Sequence, residues 1–344
     1  MRRFPIRRWQ QPRDLYPYAI LCLAVLGMVI LPRLTSGTVT LINVYDVGQI
    51  FADFGLIALA IGLAMVAGEY DLSTAGGYAL GAVVAVKVGG TSPLLGLAAA
   101  LGIGLLAGLV QGGIVSRLAI SAIPVTLGGY LVLFGLNHAL SGSKTVSFDN
   151  YTIGVTLDEP ILQIFSLRSL ICLSVFAMVF AALRFTRLGA ELRAVGGDRR
   201  ASRTAGVSVR RLLVGVLIVS GLCSTAAGAL KGFSLASANP DIGLTPLIFG
   251  TIAALLGGVS LTGGRGSVVG ILAGVLSFAT LQETLAIMGV ESWQSQLTTG
   301  LLLGLVAALT APDLKRELTA LTTRIRGRSA PAVAPAQTAT GGGE

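Results

Sequence analysis

Residues 184–211 read RFTRLGAELRAVGGDRRASRTAGVSVRR, with eight arginines and two carboxylates between two apolar stretches, 163–183 and 212–231. A helix needs about 20 apolar residues to cross the hydrocarbon core of a bilayer, and each flank is long enough. A strongly basic connector between two such flanks reads as a loop retained on the cytoplasmic side of a membrane. Similar apolar stretches repeat outward in both directions, at 16–34, 50–67, 72–89, 93–116 and 122–140 before the pair, and at 246–260, 265–288 and 294–311 after it. The expectation is an all-α, polytopic transmembrane bundle of about ten helices. The short stretch 246–260 and the tight break near 68–72 read as places where a helix is broken or re-entrant, which is tolerated only where protein shields the backbone.

Composition agrees. Of the 344 residues 53% are hydrophobic and 12% charged, where a soluble domain carries about 25% charged residues; mean hydropathy is +0.80. The 46 glycines sit among Leu, Ala and Val, as in membrane helices whose small residues let backbones approach. The formal charge of +9 falls in short blocks between apolar stretches, so lipid headgroups and topology explain it and nucleic acid is not implied.

With the N-terminus inside, twenty of the 25 basic residues fall on the cytoplasmic side. They lie in 1–15, at Arg117, in 184–211, at Arg265 and in the tail after 311. Arg33, Lys87, Lys144, Arg168 and Lys231 are left in outer loops or at outer span ends. Residues 1–15 therefore form a basic cytoplasmic N-terminus, 16–311 the membrane domain with its cytoplasmic loop 184–211, and 312–344 a cytoplasmic tail whose low-complexity end, 329–344, lacks the apolar content to fold. The first stretch has no small-x-small cleavage pattern after Ile30-Leu31-Pro32, so it reads as a retained span. The longest outer loop, 141–162, is polar and mildly acidic; it serves either as a solvated connector or as a surface for an external partner.

Within 184–211, Asp198 is placed to cap a short helix whose body is Arg199–Ala205, and Gly206 to supply its left-handed C-terminal residue. Ala201 and Ala205 share one face and Arg199 and Arg203 an adjacent basic one. Such a helix is too short to be stable alone, so it either plugs into a cytoplasmic partner or lies on headgroups. Two glycine-bearing breaks share that side. In Gly68–Gly77, Glu69 and Asp71 either cap local structure, with Ser73 a competing cap, or form a gate or partner contact. In Gly257–Gly270, Gly264, Arg265 and Gly266 are candidates for the same role, and the glycines permit a sharp reversal.

Ionisable residues inside the stretches are expensive in lipid and face protein or a water-filled path; Asp53, Gln282 and Glu283 are the candidates for a translocation path. Cys22, Cys172 and Cys223 lie in separate apolar stretches and read as buried thiols, and His138 as a packed or interfacial residue. No Ser/His/Asp set, paired carboxylates or His/Cys metal cluster supports chemistry on a substrate. Nor is there a Gly-x-x-x-x-Gly-Lys-Ser/Thr phosphate loop, so ATP-derived energy has to come from another polypeptide.

Three stretches resemble the permease subunit of bacterial ABC importers of simple sugars, of the ribose/xylose/galactose type, over roughly 45–311. Gly68–Gly77 resembles that family's Gly-x-Asp-Leu-Ser segment, Gly196–Gly206 its Gly-Gly-Asn-x-x-Ala-x-x-x-Gly-Ile loop, and Leu256–Gly270 its Leu-Gly-Gly-Thr-Ser-Leu-x-Gly-Gly-x-Gly stretch. This chain departs from the pattern at Glu69-Tyr70, at Asp198 in place of Asn, and at Val259 in place of Thr. The resemblance implies a ten-helix permease in the inner membrane that works as a pair, preferentially a homodimer, and is fed by a periplasmic substrate-binding protein. It implies further that Asp198, Arg199, Ala201, Arg203, Ala205 and Gly206 couple it to a cytoplasmic ABC ATPase subunit, which binds ATP and Mg. Permeases for branched-chain amino acids share a similar plan and are the alternative within transport. An ion-driven secondary transporter would instead need an ion site near mid-membrane.

Overall fold

The computed structural model describes residues 15–34, 38–90, 92–118 and 120–310. The basic N-terminal residues 1–14 and the tail 312–344 lie outside the described residues, and so do the expectations placed on them. The described chain is helical. In order it contains α1 (Tyr16–Leu34), α2 (Leu41–Val66), α3 (Ser73–Gly89), α4 (Pro93–Leu118), α5 (Ala122–Ser141), α6 (Thr152–Asp158), α7 (Leu167–Phe185), α8 (Leu188–Gly197), α9 (Arg199–Thr204), α10 (Val209–Leu235), α11 (Thr245–Leu256), α12 (Val268–Ile287) and α13 (Ser292–Thr310). Two short strands, β1 (Val146–Ser147) and β2 (Ser237–Ala238), pair antiparallel. They were not expected from the sequence, and they tie the 141–162 loop to the end of α10.

Seven helices among the described residues are long and apolar enough to cross a membrane: α1, α2, α4, α5, α7, α10 and α12. The remaining three expected stretches coincide with α3, α11 and α13, of 17, 12 and 19 residues. The start of α2 differs from expectation, Leu41 instead of residue 50. Asn43, Asp46 and Gln49 dilute the hydropathy of its first turns, and Asn43 and Gln49 find hydrogen-bond partners on α12 and α7.

The core is made by α2, α3, α10, α11 and α12. Gly55 to Val66 of α2 is buried without interruption, a helix apolar all round and enclosed by others. The longest helix, α10, lies against α2, α3 and α4. Its approach to α4 is set by glycines four apart, Gly104, Gly108 and Gly112. A Cβ on Gly104 would sit 2.4 Å from the Gly221 carbonyl oxygen, and one on Gly221 2.2 Å from that of Gly104. Backbone touches backbone there, the close packing that small residues allow in lipid. By contrast α4, α5 and α7 leave broad apolar faces uncovered, among them Leu106, Val110, Leu131, Val132 and Met178, as contact with lipid requires.

Cys172 and Cys223 are buried thiols as expected, whereas Cys22 is exposed on α1, which packs along α12 on its other side. His138 bridges: Nε2 lies 3.0 Å from Asp241 and Nδ1 3.1 Å from the Phe134 carbonyl oxygen.

Candidate functional site

The end of the bundle that carries 184–211 is built from three glycine-bearing turns meeting at one point. Asp198 ends α8 and caps α9, its Oδ1 accepting the N–H groups of Arg200 (2.8 Å) and Ala201 (3.0 Å). The helix closes with paired bonds from Gly206 N–H to Arg203 O and from Val207 N–H to Ser202 O, each 3.0 Å. That closure needs a left-handed residue, and Gly206 supplies it at φ +83°. Ser202 is buried, while Ala201, Arg203, Ala205 and Gly206 are exposed, so the face carrying the two alanines is open.

Gly196, at the end of α8, lies on the end of α2: a Cβ there would sit 1.9 Å from Val66 O and 2.5 Å from Gly264 N. That same Gly264 N–H donates to Val66 O at 2.9 Å. Gly263 and Gly264 adopt φ +82° and +73°, carrying the turn after α11 against Gly68 and Gly197. The three stretches that carry the family resemblance, far apart in sequence, thus form one backbone-to-backbone junction. Arg265 is exposed beside it, and Gly266 packs against Val66.

Two acidic side chains stitch the helices around this junction. Glu69 is 7% exposed and uses both oxygens: Oε1 accepts from Arg199 Nη2 at 2.7 Å, and Oε2 from the Ala122 N–H at 2.9 Å. It therefore pairs α9 with the first turn of α5, where a helix N-terminus favours negative charge. Asp71 is fully enclosed. Its Oδ1 accepts from Ser73 N–H (2.9 Å) and Ser73 Oγ (2.6 Å), and its Oδ2 from Ser220 Oγ (2.5 Å). It binds the first residue of α3 and, through Ser220, fastens that end of α3 to α10. A cavity of about 310 Å³ beside α9 is lined by Ser116, Arg199, Arg203, Val207, Arg210 and Leu213.

At the opposite end lies a second polar cluster. Asp53 contacts Arg168 through one oxygen and Lys231 (2.7 Å) through the other. Arg168, 3% exposed, also donates to Asp158 (2.9 Å) and to Gln49 (2.6 Å). Asp158 accepts from Ser234 in addition. Arg168, expected at an outer span end, is thus the buried centre of a network joining α2, α6, α7 and α10. Asp53 stands out in the sequence as an ionisable residue inside an apolar stretch; its partners do not. The signal was present as two cations and a second carboxylate at the ends of other elements, but nothing local pairs them.

Gln282 accepts from Ser295 and Thr299 of α13, each at 3.3 Å. Glu283 accepts from Asn43 at 2.9 Å. Asn43 precedes Asp53 by ten residues on α2, about 15 Å along the axis, so the structure does not bring the three path candidates together. Among the described residues no group of three His, Cys, Asp or Glu is placed to hold a metal.

A bundle of closely packed membrane-length helices, bearing a short capped helix on a glycine junction, defines a multi-pass transport permease. Residues 45–307 match the family described as "Branched-chain amino acid transport system / permease component", and the chain belongs to that family. It is 30% identical over 306 residues to the fructose import permease protein of Rhizobium meliloti, covering 84% of this chain and 82% of the relative. It is 29% identical to the L-arabinose transport system permease protein of Escherichia coli strain K12, with 86% and 89% covered. To the ribose import permease protein of the same strain it is also 29% identical, with 85% and 91% covered. No solved structure matches the chain.

Proposed function

We propose that this chain is the membrane-spanning permease subunit of an ATP-driven importer of a monosaccharide. It would lie in the bacterial inner membrane with ten spans, formed by α1–α5, α7 and α10–α13, and with both termini and 184–211 in the cytoplasm. A periplasmic binding protein would deliver the sugar and a second copy of the chain would complete the pathway. A separate ABC ATPase, docked on Asp198–Gly206, would bind ATP and Mg. The observation that carries this reading is similarity to sugar permeases over more than four-fifths of both chains in each of the three relatives above, with the three family-like turns meeting under α9.

The residues divide the work. In α9, Ala201 and Ala205 present small side chains toward a groove on the ATPase, with Arg203 beside them. Asp198 and Gly206 hold the helix ends, and Arg199 looks back into the bundle. Glu69, Asp71 and the turn Gly264–Gly266 form the gate-side contacts behind it. Of the path candidates, Gln282 and Glu283 are held by neutral groups, which a sugar's hydroxyls can replace. Asp53 is held by two cations and serves the framework.

Affinity purification from native membranes, followed by uptake of labelled ribose, arabinose, fructose and leucine by the reconstituted complex, tests the proposal. Co-purification of an ATPase and a binding protein, with ATP-dependent uptake of one of the sugars, is expected. Uptake of leucine alone would move the reading to amino-acid import, and uptake without an ATPase would overturn it.

A further inference from the structure

We propose that the Arg199–Glu69 ion pair is the tie through which movement of α9 reaches α5, making Arg199 and Glu69 positioning residues for transport. The inference rests on the proposed docking of 184–211 to an ATPase. Arg199 is the arginine of α9 whose side chain bonds into the bundle: Nη2 donates both to Glu69 Oε1 (2.7 Å) and to Gly68 O (3.0 Å). Glu69 in turn holds the Ala122 N–H, at the first residue of α5, with its other oxygen. One carboxylate therefore connects a surface helix to the start of a helix spanning the bundle.

The packing of α5 makes that connection consequential. Most of its surface is uncovered, and it touches only α3 and α4 substantially. Gly128 and Gly135 face open space. Polar bonds add to this one-sided packing at its two ends. At the α9 end, beyond Glu69, Thr126 Oγ1 accepts from Leu72 N–H (3.1 Å) and lies 3.2 Å from Tyr70 O. At the other end, Asn137 Nδ2 donates to Pro240 O (3.0 Å) and His138 meets Asp241 (3.0 Å). A helix that packs along one face only, where Leu133 meets Leu80 and Val84 of α3, and is pinned by polar bonds at its ends tilts as a unit when one pin moves. The α9 pin is the pin that an ATPase docked on the open face of α9 would displace. An ion pair suits such a tie, because a buried carboxylate losing its cation is strongly disfavoured and so follows it.

The test uses the complete complex, purified with its ATPase and binding protein and reconstituted in vesicles. Uptake of labelled ribose, arabinose and fructose, each assayed singly, is divided by ATP hydrolysed. Arg199→Gln is expected to lower that ratio about tenfold. Glu69→Gln, which keeps an acceptor for the Ala122 N–H, is expected to do the same, and the double variant to be no worse than either single one. Arg199→Lys, which keeps the charge, should recover most of the ratio. A parental ratio in Arg199→Gln, additive losses in the double variant, or a loss that Arg199→Lys does not relieve would overturn the tie. Loss of the ATPase from the Arg199→Gln complex alone would make Arg199 a docking contact and also overturn it. Failure of the parental complex to bind any ATPase would instead refute the proposed function.

Discussion

Replacing Gly196 by alanine adds one methyl group where three backbone segments already touch. Its Cβ would fall 1.9 Å from Val66 O and 2.5 Å from Gly264 N, the acceptor and donor of a 2.9 Å hydrogen bond. Both atoms belong to backbone, so no side chain can swing aside. Loss of that bond costs about 1 kcal/mol, and forcing the segments apart about 1–3 kcal/mol more. The neighbouring Gly197 is the internal control: a Cβ there meets nothing within 4 Å, so Gly197→Ala should be neutral or slightly stabilising. The protein supplies its own reporter, because Cys172 and Cys223 are buried free thiols that a thiol-reactive dye reaches only on unfolding. Cys22, exposed, is first replaced by serine. Gly196→Ala should melt on the order of 5–10 °C below Gly197→Ala, at a few degrees per kcal/mol. Equal melting of the two variants would refute the claim that the three turns are joined by direct backbone contact.

Arg168→Met leaves Asp158 without a cation and Asp53 with Lys231 alone. Removing one partner of a buried ion pair costs about 3–5 kcal/mol, and the surviving Lys231 contact places the loss at the lower end. A lower melting point is expected, partly restored by adding Asp53→Asn and Asp158→Asn, and parental melting of the single variant would count against the network. Gly206→Val places a β-branched residue at φ +83°, a strain of about 1–2 kcal/mol confined to the end of α9. Membrane insertion, read by membrane fractionation, should be unchanged and ATP-coupled uptake abolished; normal uptake would sever α9 from coupling.

Much of the architecture was legible because it is written locally. A bilayer imposes one length on every crossing, so apolar runs announced α1 and α4 almost to their ends. Asp198 and Gly206 announced the ends of α9 because capping depends on residues a few positions apart. The features that were not legible are pairings over distance. Gln49 needs Arg168, 119 residues away, and Asn43 needs Glu283, 240 residues away. Their polarity made the start of α2 read as loop. Glu69 was marked as acidic on a basic side, but its two partners come from elements that only the fold brings together. Cys22 read as buried because its stretch is apolar, yet in lipid an apolar helix satisfies its surface without protein cover.

The network around Arg168 also constrains how the chain is made. In chain order Asp53, Asp158, Arg168 and Lys231 return to zero net charge only with the last of them, and they span 178 residues of sequence. During synthesis α2 enters the membrane carrying Asp53 before either of its cations has been made. An unpaired carboxylate within a membrane segment is unfavourable. That debt stands until α7 arrives with Arg168, and is cleared when α10 brings Lys231. A chain broken off between α5 and α7 retains the carboxylate and never acquires its counter-ions. The four side chains that hold the finished bundle together are therefore complete only in a chain that has been made through α10.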